Sequence, residues 1–120
     1  LQLMRERNIM VINFDEIKEQ ILPEFFGGMK QMNTHMYIDD ANKIFTASLE
    51  PGASIGEHLH DGTSEIIYIL KGSGIGTVDG EETQVKPGMC QYCRSGHTHS
   101  LVNTCDETLE FFAVVAKQQL

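Results

Sequence analysis

Gly52-Ala53-Ser54-Ile55-Gly56-Glu57-His58-Leu59-His60-Asp61-Gly62-Thr63-Ser64-Glu65-Ile66-Ile67-Tyr68-Ile69-Leu70-Lys71-Gly72 carries the pattern that decides the fold. His58 and His60 stand at i and i+2, which on a strand puts both imidazoles on one face. Asp61-Gly62 reads as turn chemistry. Beyond it, Glu65 opens a second strand whose residues 66–70 are apolar on both faces, as expected where one face meets a core and the other a packed partner. A hairpin here folds Glu65 back beside the two histidines, and a third imidazole, His99, has to arrive from another wall. Three ring nitrogens and one carboxylate oxygen form a credible donor set for a divalent metal. Coordination would also satisfy a Glu65 charge that is costly to bury among apolar neighbours.

Outward from this hairpin the chain reads as short extended segments divided by turns. The spacing predicts strands over 34–38, 43–49, 54–59, 64–71, 74–79, 82–86, 89–93, 97–102 and 108–116. Pro51-Gly52, Asp79-Gly80, Pro87-Gly88 and Ser95-Gly96 are among the punctuating pairs. Leu109, Phe111, Ala113 and Val115 share one face of the last segment and are all apolar. About nine strands at this spacing predict an all-β barrel or sandwich. Upstream, residues 15–22 place an Asp to cap and apolar side chains at 17, 21 and 22 before Pro23, which predicts one short amphipathic helix.

The 120 residues suit a single domain, expected as an N-terminal extension and short helix over about 1–33 followed by a barrel over about 34–120. Met10 opens a plausible native start, with residues 1–9 either an extension or an expression remnant. Nine Lys+Arg against 17 Asp+Glu give a formal net charge of −8, which repels phosphate backbones and anionic lipid and argues against nucleic-acid partners. No run approaches the roughly 18 apolar residues of a helical membrane span, so no membrane partner is expected. Cys90, Cys93 and Cys105 cannot all pair within one chain. With no secretory core at the amino terminus, free thiols and a cytoplasmic setting are expected.

The segment Gly52-x5-His58-x-His60-x4-Glu65-x6-Gly72 resembles the first motif of the cupin superfamily at every fixed position. Gly88-x5-Arg94-x-Gly96-x2-His99-x3-Asn103 resembles the second, departing where Arg94 replaces the usual proline. The short link between them is similar to that of small bacterial single-domain cupins. The resemblance implies a jelly-roll β-barrel with a metal ion held by His58, His60, Glu65 and His99, and Asn103 fixing a bend after the last ligand. It also implies pairing through residues 10–38, giving a homodimer. The donor set is compatible with Mn, Fe, Ni, Co or Zn.

Further candidates flank the four. His97, two before His99, reads as a fifth ligand, a general base or a turn histidine at the barrel mouth. Tyr68, with Tyr92 and Glu57, is a candidate acid or base. Cys90 and Cys93 lie three apart, which on a strand sends them to opposite faces and favours two free thiols over a redox or zinc pair. Arg94 reads as a rim contact for a carboxylate or as surface, and Met29, Met32 and Met36 as a soft apolar cluster in the core or a dimer contact. Ile67, Ile69 and Leu101 share parity with the ligands and should floor the cavity. Cupins resembling this pattern include dioxygenases, decarboxylases, isomerases and lyases acting on small oxygenated molecules. The expectation is therefore a metalloenzyme of that kind, with a non-catalytic metal and small-ligand binding module as the alternative and a metal-stapled structural protein as the third reading.

Overall fold

The structure, a computed structural model, describes residues 10–118. The expected extension over 1–9 lies outside the described residues. Ten strands follow one another: β1 (Gln20–Pro23), β2 (Gln31–Ile38), β3 (Asn42–Leu49), β4 (Ser54–Leu59), β5 (Thr63–Lys71), β6 (Gly74–Val78), β7 (Glu81–Val85), β8 (Cys90–Cys93), β9 (Thr98–Asn103) and β10 (Leu109–Lys117). They form two antiparallel sheets, a six-stranded one in the order β1-β2-β3-β10-β5-β8 and a four-stranded one in the order β4-β9-β6-β7. The fold is all-β, as the turn spacing predicts, and it is the jelly-roll barrel that the cupin resemblance implies. Each of the nine expected strands is present with its ends moved by at most a few residues.

The short helix expected over 15–22 is reduced to a 3-10 turn at Phe14–Glu16. After an irregular stretch over 17–19 the segment ends in β1, where Gln20 through Pro23 pair with Thr34 through Gln31. An eight-residue helix is marginal in isolation, whereas an edge strand gains ladder hydrogen bonds from a β2 already in place, and Pro23 is tolerated at an edge.

Side-chain alternation builds the core. Phe45, Leu49, Ile55, Ile67, Ile69, Leu101, Phe111 and Ala113 are buried between the sheets. The methionine cluster divides: Met32 is fully buried, Met36 packs against the core and Met29 is exposed. Asn103 closes the bend after β9, its side-chain amide donating to the carbonyls of Leu49 and Glu107.

One irregularity positions the site. β4 pairs with β9 at Ser54↔Val102 and Ile55↔Leu101, then resumes at His58↔His99. Three steps on β4 thus match two on β9, so Gly56-Glu57 carries a bulge. A bulge changes which face the following residues occupy. Ile55 points inward before it, and His58 and His60 turn inward after it while Glu57 and Leu59 are exposed. In a regular strand Ile55 and His58 would face opposite sides.

Candidate metal centre

Four side chains from three strands and a strand end meet inside the barrel. His58 (β4), His60 just beyond β4, Glu65 (β5) and His99 (β9) each offer a donor atom, and all four donors lie within 4.8 Å of one another. His60 Nε2 is 3.1 Å from Glu65 Oε1 and 3.0 Å from His99 Nε2. His99 Nε2 is 3.0 Å from Glu65 Oε1 and 3.1 Å from His58 Nε2. Donors about 2.1 Å from a shared centre stand about 3.0 Å apart at right angles and about 3.4 Å apart at the tetrahedral angle. The observed spacings match the right-angle case.

The outer nitrogens show why a cation fits here. His58 Nδ1 lies 2.8 Å from the Gly56 carbonyl and His99 Nδ1 lies 2.9 Å from Gln91 Oε1. Gln91 is oriented by its own amide, which donates to the Ser100 carbonyl at 3.1 Å. Both acceptors are oxygens without hydrogens, so both Nδ1 atoms carry the proton, and in its neutral form each ring presents a bare Nε2. The bare His99 nitrogen thus lies 3.1 Å from the bare His58 nitrogen and 3.0 Å from the Glu65 carboxylate oxygen. Like-signed lone pairs at that distance call for a positive charge between them. His60 Nδ1 rests on Thr63 Oγ1 at 2.8 Å.

Protonation states favour the same use. Burial lowers the His58 pKa and the neighbouring His99 and His60 lower it further, outweighing the Gly56 contact, so the ring stays neutral. Burial works to raise the Glu65 pKa, but the hydrogen-bond contacts, that with His60 first, prevail and hold it below its ordinary value. Neutral imidazole and ionised carboxylate are the ligating forms.

Gln91 and Phe26 are neighbours of the site that the sequence reading missed. Gln91 is buried on β8, and its side chain occupies the space Gly76 leaves open: a Cβ at Gly76 would come within 2.8 Å of Gln91 Nε2. A glycine inside a strand is the sequence signal for such a close approach. Phe26 stacks on the His58 ring with centroids 3.8 Å apart and planes at 11°.

The other candidates lie apart from the four. His97 turns its Nδ1 to Asp79, whose carboxylate also accepts from the Thr98 amide, and the Asp79 pKa is lowered first by His97 and then by Thr98. Tyr68 lies on the opposite face of β5 from Glu65 and is exposed, as are Tyr92, Glu57 and Arg94. Cys90 is exposed and Cys93 buried, on opposite faces of β8. Ile67, Ile69 and Leu101 are buried on the ligand faces of β5 and β9. A groove of about 700 Å³ runs along the outer face of the six-stranded sheet past Phe14, His35 and Ser48 and touches none of the four donors.

Fold and donor set together define the class, and comparison with known proteins agrees: the chain belongs to the cupin family, its residues 45–115 matching the family described as Cupin domain. It is similar to the oxalate-binding protein of Thermotoga maritima, with 36% identity over 118 residues, 93% of this chain and 98% of that one. Among solved structures it resembles a predicted oxalate decarboxylase from Thermotoga maritima (TM-score 0.85, 31% identity, 91% of this chain and 100% of that one). The polyketide cyclase RemF from Streptomyces resistomycificus shares the fold at a TM-score of 0.72 and 23% identity, over 93% of this chain and 87% of that one. No helix among the described residues is long and apolar enough to cross a membrane.

Proposed function

We propose that the protein binds a divalent metal ion through His58, His60, Glu65 and His99 and uses it to capture a small dicarboxylate of the oxalate type. The observation that carries this reading is the convergence of four donor atoms at 3.0–3.1 Å contacts, with two imidazole nitrogens bare toward each other. The right-angle spacing favours a six-coordinate ion such as Mn, Fe, Co or Ni over tetrahedral Zn. Such an ion supplies local positive charge and coordination positions beyond the four protein donors for a small oxyanion.

The chain's own residues fit that task. A net charge of −8 repels anions in general, so selectivity for an anion has to come from one local positive site. Glu65 cancels only part of a divalent charge. Ile67, Ile69 and Leu101 back the cluster with an apolar floor, which strengthens electrostatic attraction there. The oxalate-binding relative supports the ligand class. Binding is favoured over turnover because Tyr68 faces outward and the His97 Nδ1 is engaged by Asp79.

Calorimetric titration of the metal-loaded protein tests this. Oxalate should bind in a 1:1 ratio, acetate much more weakly, and His58→Ala with Glu65→Ala should abolish uptake of both metal and oxalate. Metal uptake without oxalate binding would sink the ligand assignment. Oxalate consumption with release of carbon dioxide would replace binding with catalysis.

We further propose a homodimer. Exposed apolar side chains on the N-terminal segment (Val11, Ile21, Ile38) and on the outer faces of β5 and β8 (Ile66, Tyr68, Leu70, Tyr92) support it. Sedimentation as a monomer at micromolar concentration would contradict it.

A further inference from the structure

Phe26 is a large apolar residue left 53% exposed in an unfavourable backbone conformation. Its φ and ψ are 51° and 36°, and Glu24 before it has φ 47° and ψ 48°. The left-handed region is disfavoured for bulky side chains, and such strain persists where surrounding contacts over-determine it. The contacts that impose it are backbone ones. A Cβ at Gly28 would fall 2.1 Å from the Ser54 carbonyl oxygen, and a Cβ at Gly56 would fall 2.0 Å from that of Phe26. Two glycines therefore allow the 25–28 turn to lie directly against β4 at its bulge. Met29 and Ser54 fasten it, the Met29 amide donating to Ser54 Oγ at 2.7 Å and the Ser54 amide to the Met29 carbonyl at 3.0 Å.

The result of this docking is the ring stack on His58, the least buried of the four donors. We propose that Phe26 is a positioning residue for the metal centre. Its ring, delivered by the strained turn, clamps the outward face of the His58 imidazole so that Nε2 stays aimed at the cluster. The proposal rests on the reading of the four residues as metal ligands. His58 Nδ1 is already tied to the Gly56 carbonyl, which fixes one edge of the ring. The stack fixes its plane. An imidazole that has given its lone pair to a cation is electron-poor, so the negative face of a phenyl ring favours the metal-bound form over the free one. Phe26 should thus contribute to metal affinity more than to folding. Gly56 serves twice, as the acceptor for Nδ1 and as the gap through which the turn approaches.

The test compares the parent with Phe26→Ala, Phe26→Leu and Phe26→Tyr, all of which keep a side chain at the left-handed position. Each is titrated with Co²⁺ against a competing chelator, and His58 ring-proton shifts are recorded by NMR without metal. Ala and Leu should weaken Co²⁺ binding by about 10-fold or more, and Tyr should restore it to within about threefold. The upfield ring-current shift of the His58 protons should vanish in Ala and Leu and persist in Tyr. Parental affinity in Phe26→Ala, or equal affinity in Leu and Tyr, would overturn the proposal. If the parent took up no Co²⁺, the metal reading would fail instead, and retention of the His58 shift in Phe26→Ala would still decide against the stack.

Discussion

His58 and His99 bring their Nε2 atoms to 3.1 Å while each commits its Nδ1 proton to an oxygen on the far side, the Gly56 carbonyl and Gln91 Oε1. The second-layer acceptors decide the chemistry of the centre, because they fix which nitrogen of each ring is left bare.

Metal should therefore act as a folding ligand. Saturating ion at about a hundredfold excess over Kd should raise the melting temperature by on the order of 10 °C. His58→Ala combined with Glu65→Ala should remove both the bound ion and this shift. Elemental analysis and differential scanning calorimetry check the two halves. Full metal content in the double variant would refute the ligand assignment.

Gln91 should tune the centre without touching the ion. Gln91→Leu leaves the buried His99 Nδ1–H without its acceptor, so metal affinity should fall about 10-fold to 100-fold. Gly76→Ala should produce the same defect from the other sheet, since its Cβ would meet the flexible end of Gln91 at 2.8 Å. Its stability loss should be modest, about 1 kcal/mol. Gly74→Ala is the contrast: its Cβ would lie 2.2 Å from the Val102 carbonyl oxygen, which is backbone and cannot swing aside. It should cost about 3 kcal/mol or more in denaturant unfolding.

The thiols should separate by reactivity. Burial, with Glu65 and Asp79 nearby, pushes the Cys93 pKa up to about 11, whereas Cys90 is exposed. In the folded protein a thiol reagent at pH 8 should modify Cys90 rapidly and Cys93 only after denaturation. Above its ordinary value of 9.0 the unfolded chain releases a Cys93 proton that the folded chain keeps. Stability should therefore fall as pH rises from 9 toward 11. Cys93→Ser should flatten that decline in pH-dependent melting curves.

Local pattern carried most of this fold. Alternation over 109–115 and the turn pairs placed the strands, and the His58, His60, Glu65 and His99 spacing marked the donors that the structure gathers. What local pattern missed depends on distant backbone. The bulge at Gly56-Glu57 reverses parity between Ile55 and His58, and nothing in the strand's own alternation announces it. Residues 20–23 are strand because β2 offers them a ladder, a partner outside any helical window. Phe26 and His58 meet across 32 residues, Gln91 and His99 across two strands. Strand parity alone separates Cys90 from Cys93 on opposite faces of β8, and the same count from Glu65 sends Tyr68 outward.

The donors do not come from a single sheet. His58 and His99 belong to the four-stranded layer and Glu65 to the six-stranded one. A bound ion would thus work as a rivet through both layers, and its departure would unfasten the barrel's seam as well as empty its site. Cellular metal supply would then govern how long this protein survives proteolysis, not merely what it can hold.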